Sequence, residues 1–92
     1  VSFEWTIPTD YLKKTSTFSA KSGGSISVMA YLDPTDKVVK VGIIEPDGTL
    51  RYVKGSDSVM HKFDLTVSGS YRVYIENESG TTVYASGSYN VR

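Results

Sequence analysis

Apolar residues alternate with polar ones along most of the chain, and no segment sustains a spacing of three to four residues. Phe3, Trp5 and Ile7 share one parity, and Pro8 ends that run because it has no N–H to give a ladder. Thr9–Lys14 reads as a turn or a single helical turn, with Thr9 or Asp10 as its cap. Thr15–Ala20 is a short strand stopped by Gly23 and Gly24. Ile26, Val28, Ala30 and Leu32 form the next apolar face, followed by a turn at Asp33–Lys37. Val38–Glu45 and Leu50–Lys54 flank the turn Pro46-Asp47-Gly48, and Gly55–Ser58 breaks the chain again. Val59, His61, Phe63 and Leu65 share a face, Thr66–Gly69 is a corner, and Ser70–Asn77 and Thr82–Arg92 close the chain. Period-two alternation with turn residues every ~8–12 positions predicts an all-β, antiparallel Greek-key β-sandwich of about seven or eight strands.

A phrase occurs twice, Ser68-Gly-Ser-Tyr-Arg-Val73 and Ser86-Gly-Ser-Tyr-Asn-Val91. Between the copies lie Asn77 to Thr81, with Gly80 where a three-residue hairpin loop needs positive φ. Counting outward from that loop pairs Ile75 with Val83, Val73 with Ala85, Tyr71 with Gly87 and Gly69 with Tyr89. Each tyrosine then covers the other copy's glycine, a packing that pins register. The opposite face carries Tyr74 beside Tyr84, between Arg72–Ser86 and Glu76–Thr82. The same rule at Pro46–Gly48 pairs Ile44 with Leu50 and Gly42 with Tyr52.

Ninety-two residues fit one domain, residues 1–92. The chain has no cysteine, so its stability rests on packing, a bound ion or a partner. The formal charge is zero with both signs interspersed, which argues against nucleic acid and against a polybasic membrane patch. No run is apolar enough to insert in a membrane. A chain opening on Val1 is expected to be a processed or trimmed product, and the Tyr, Ser, Thr and Gly content leans toward a bacterial exported protein, extracellular or at the cell surface.

The run Gly69-x-Tyr71-x-Val73-x-Ile75-x-Asn77-x-x-Gly80 is similar to strand F and the F–G turn of bacterial immunoglobulin-like domains. There a tyrosine opens the strand after a corner. The resemblance implies an immunoglobulin-like fold with Tyr71 buried at the corner, and nothing about activity. The inter-sheet cysteines and a strand-C tryptophan are absent, which leaves a jelly roll or another Greek-key topology open.

Catalytic groupings are missing. His61 is the only histidine, and it alternates with apolar residues as a strand position does. There is no nucleophile elbow, no phosphate loop and no cysteine for zinc. Asp33 and Asp36 could approach a calcium ion, but they supply too few ligands for a cage, and turn chemistry explains them. Asn77-Glu78-Ser79 has the form of a glycosylation acceptor.

No enzyme and no cofactor are expected. The expected role is a non-catalytic binding or structural module of a secreted or cell-surface protein, with a protein or glycan partner. A secreted inhibitor would present the loops Asp33–Lys37, Pro46–Gly48 or Gly55–Ser58 to an enzyme cleft. A carbohydrate-binding module would use exposed tyrosines. The candidate binding residues are Tyr74, Tyr84 and Tyr52, since paired rings on a sheet stack sugars or anchor proteins.

Overall fold

The computed structural model describes all 92 residues as nine strands and no helix. They are β1 (Ser2–Ile7), β2 (Tyr11–Lys14), β3 (Phe18–Ala20), β4 (Ser25–Asp33), β5 (Val39–Ile44), β6 (Leu50–Gly55), β7 (Ser58–Asp64), β8 (Gly69–Asn77) and β9 (Val83–Val91). One antiparallel sheet has the order β1-β9-β4-β7, and the other β2-β8-β5-β6 with β3 also on β8. The pairs are nested: β5 with β6, β4 with β7, β2 and β3 with β8, and β1 with β9. The chain is therefore one long hairpin with its tip at Pro46–Gly48, rolled up so that β4 meets β9 and β5 meets β8. That strand order is a jelly roll.

The tip follows the expected turn chemistry. Gly48 has φ 89°, and its N–H donates to the Glu45 carbonyl at 2.9 Å. The Thr49 N–H donates to Asp47 Oδ1 at 3.0 Å, and that hydrogen bond holds the Asp47 carboxyl below its ordinary range. Ile44 faces Leu50 and Gly42 faces Tyr52, in the register counted from the sequence.

The expected pairing of β8 with β9 is overturned. Gly80 does have positive φ, 87°, but the two strands lie in different sheets. The physical reason is Asn77, which is fully buried. Its Nδ2 donates to the carbonyls of Ile7 (2.8 Å) and Thr81 (2.7 Å), while its Oδ1 accepts from the Ser79 N–H (3.0 Å) and hydroxyl (2.6 Å). A side chain holds the loop where a ladder would, and β9 is left free to cross to the other sheet. Tyr71 consequently faces Phe18, Gly69 faces Ala20, Gly87 lies between Phe3 and Ala30, and Tyr89 faces Val28. Immunoglobulin-like pairing of the last two strands is thus not what this chain does. The likeness holds for two packed antiparallel sheets and for Tyr71, which is fully buried and donates its hydroxyl hydrogen to the Val67 carbonyl.

Strand parity places the core well. Nineteen buried apolar residues form one cluster, including Ile7, Ile26, Val28, Val41, Ile43, Tyr71, Val73, Ile75 and Val83. Trp5 packs against this cluster and stacks on Phe3 at 4.4 Å between centroids. Tyr89 stacks on Phe18 at 4.7 Å. Val91 shares the inward parity of Val83, Ala85 and Tyr89 but is exposed at the end of its strand. The helical turn expected at Thr9–Lys14 is replaced by strand β2. Asp10 takes φ 65° and its N–H donates to the Asn77 carbonyl at 2.6 Å, so the chain is turned onto the edge of β8.

Candidate functional site

Parity also decides the two outer faces. On the β2-β8-β5-β6 sheet, the outward residues of β8 are Arg72, Tyr74 and Glu76, those of β5 are Lys40, Gly42 and Ile44, and those of β6 are Leu50, Tyr52 and Lys54. This face neutralises itself. Lys40 Nζ lies 2.8 Å from Glu78 and 3.8 Å from Glu76, and 5.0 Å from the centroid of Tyr52. The hydrogen bond to Glu78 raises the Lys40 pKa and lowers that of Glu78. Tyr52 is 44% exposed and is engaged by this internal cation. Tyr74 faces Gly42 on one side and Lys14 on the other. Its ring is fully buried, its hydroxyl has no hydrogen-bond partner, and burial pushes its pKa up to about 12.

Tyr74 and Tyr84 are therefore not neighbours, because their strands belong to different sheets. The structure leaves Tyr74 no surface to offer a partner. Tyr84 is 56% exposed on the other outer face, and there it has a different companion.

On the β1-β9-β4-β7 sheet the outward positions fall in cross-strand rows. One row is Glu4, Ser86, Tyr31, and the next is Thr6, Tyr84, Asp33. Residues two apart on a strand stand about 7 Å apart on one face, so Tyr31 and Tyr84 are diagonal neighbours. The small side chain of Ser86 stands directly across from Tyr31 and two residues along β9 from Tyr84. The Tyr31 hydroxyl donates to Met29 Sδ at 3.7 Å, which draws that ring along β4, away from Tyr84. The result is an open concavity of about 500 Å³ lined by all six of these residues. Tyr31, like Tyr84, is 56% exposed. Neither Glu4 nor Asp33 has a cation within salt-bridge distance or a side-chain hydrogen bond. Pairing β9 with β8 hides Tyr31 from a reading of the sequence. Its parity, opposite to Val28, Ala30 and Leu32, is the signal that marks it as outward.

Of the three candidate loops, two share one end of the roll. Leu32 N–H donates to the Asp57 carbonyl at 2.7 Å, which ties the Gly55–Ser58 turn to the end of β4 where Asp33–Lys37 begins. The Pro46–Gly48 tip lies at the opposite end and borders a second concavity of about 420 Å³ with Thr66 and Val67. His61 is exposed and meets Phe63 edge-on at 4.6 Å. No three His, Cys, Asp or Glu side chains converge as metal ligands would. No helix is long and apolar enough to cross a membrane.

The fold defines an all-β protein of two antiparallel sheets. It is similar to a solved structure from Aeromonas hydrophila, PliG, a periplasmic lysozyme inhibitor of g-type lysozyme. The TM-score is 0.69 at 14% identity, with 100% of this chain matched to 85% of that one. It is also similar to a de novo designed double-stranded β-helix, with a TM-score of 0.54 at 16% identity over 98% of this chain and 99% of that one. No protein-family model matches the chain, and no curated protein matches its sequence.

Proposed function

We propose that this domain is a secreted, non-catalytic binding module whose partner is a protein, acting as an inhibitor that occupies an enzyme. The observation that carries this reading is the concavity between Tyr31 and Tyr84. Two half-exposed rings on a rigid sheet give large contact area at low entropic cost, as anchors of protein interfaces do. The fold shared with a periplasmic lysozyme inhibitor supports the same reading and supports a periplasmic or extracellular location. Tyr84 keeps its role from the sequence. Tyr31 takes the place of Tyr74, and Tyr52 stays with Lys40.

The first enzyme to test is a g-type lysozyme, followed by c- and i-type enzymes, in a cell-wall turbidity assay. The wild type is expected to inhibit one of them in a saturable way, and the folded double variant Tyr31→Ala/Tyr84→Ala to lose at least about tenfold in potency, as for removal of two interface anchors. No inhibition of any of the three, or equal inhibition by the variant, would sink this reading.

A further inference from the structure

The two outer faces of this roll use the same residue types and end in opposite states. On one, a cation is already present: Lys40 sits against two carboxylates, Glu76 and Glu78, and over the ring of Tyr52. On the other, two carboxylates and two tyrosine rings surround a concavity, and no cation of the chain reaches them. Carboxylates and ring faces both attract cations, the first by charge and the second by the quadrupole of the ring.

We propose that the Glu4–Tyr31–Asp33–Tyr84 concavity binds an arginine side chain presented by the partner protein. This rests on the binding reading above and names the chemistry of its partner. Arginine fits better than lysine. Its planar guanidinium stacks on a tyrosine ring while its edge offers paired N–H donors to a carboxylate, and it sheds water more readily than an ammonium. Thr6 and Ser86 add hydroxyls that accept from the remaining donors. A neutral sugar is the poorer fit. It would stack on the rings but bring no positive charge to Glu4 and Asp33. Ser86 lines the concavity opposite Tyr31, and its small side chain leaves room there for the guanidinium.

The probe is N-acetyl-arginine-N′-methylamide, titrated into the isotopically labelled domain and followed by amide shifts. Citrulline and norleucine analogues serve as controls, and a chito-oligosaccharide as the competing ligand class. The expected result is saturable shifts at Glu4, Thr6, Tyr31, Asp33, Tyr84 and Ser86 with arginine, weakened at higher salt. The citrulline analogue keeps the shape but not the charge and is expected to bind at least about tenfold more weakly, the loss for a charge-assisted pair. Glu4→Gln/Asp33→Asn, substitutions at exposed positions, should leave the fold unchanged and the arginine affinity down by about the same factor. Equal shifts from arginine and citrulline, no shifts from arginine, or shifts at this site from the chito-oligosaccharide alone would each overturn the proposal. The inhibitor reading fails separately. If Tyr31→Ala/Tyr84→Ala loses inhibition while Glu4→Gln/Asp33→Asn keeps it, the surface is right and the arginine is wrong.

Discussion

Tyr71 donates its hydroxyl hydrogen to the carbonyl of Val67, four residues earlier, and so closes the corner from which β8 departs. The ring itself is fully buried, facing Phe18 across the ladder. Two substitutions separate the roles. Tyr71→Phe keeps the ring and loses one hydrogen bond, at a cost of about 0.5–1.5 kcal/mol, because the exposed Val67 can turn its carbonyl to water. Tyr71→Ala leaves a cavity and should cost about 3–5 kcal/mol. Urea melts of both variants measure the difference. A near-neutral Tyr71→Ala would show that the corner does not hold the roll together.

Tyr74 should behave in the opposite way. Its hydroxyl is buried without a partner, so the fold bears a desolvation cost with nothing in return. Tyr74→Phe is therefore expected to be neutral or to stabilise, by up to about 1 kcal/mol. The pH dependence has a definite sign. Below pH ~10 the phenol is neutral in both folded and unfolded chains, and stability is fully present. As pH rises, the unfolded chain ionises first, while the folded Tyr74 holds its proton up to about 12. Stability falls across that window, and Tyr74→Phe should fall less. Melts at pH 8 and at pH 11 on both proteins test this. An equal loss in both would mean that the hydroxyl reaches water.

Parity carries further than pairing in this sequence. The alternation at Ile26–Leu32 and at Tyr71–Ile75 marks core faces, because a strand has only two sides and one must be dry. The Pro46–Gly48 hairpin is legible because its turn residues and both flanking strands lie within a few positions of one another. Glu78–Thr82 carries equally good turn residues, yet connects two sheets. Local turn chemistry does not distinguish a hairpin from an arch; the partner that β9 finds decides, and that partner is distant in the chain. The one clue is polar. Asn77 continues the inward parity of Tyr71, Val73 and Ile75, and a buried amide needs partners that a hairpin end exposed to water would not require. The site is hidden for the same reason. Tyr84 is legible as exposed, but its neighbours Tyr31 and Asp33 lie some fifty residues away in the sequence and become visible only once β9 is placed against β4.

The pairing of β9 can be tested directly, since the absence of native cysteine makes any introduced pair unambiguous. Met29 on β4 and Ser88 on β9 are opposed outward-facing residues of adjacent strands. Opposed residues in an antiparallel pair have Cα atoms about 4.5–5.5 Å apart, within the range a disulfide accepts. Met29→Cys/Ser88→Cys should therefore oxidise to completion as a monomer. It would close a loop of about sixty residues, for which chain entropy allows a gain of about 4.3 kcal/mol, less any strain. Arg72 and Ser86 supply the contrast. A hairpin of β8 with β9 would place them side by side, whereas in the roll they stand on the outer faces of opposite sheets. Arg72→Cys/Ser86→Cys should keep two free thiols under the same oxidation, by thiol titration and intact mass. Rapid intramolecular closure of the second pair, with the first remaining reduced, would restore the hairpin. It would also remove the Tyr31–Tyr84 concavity, because Tyr84 faces Asp33 only through the ladder between β4 and β9.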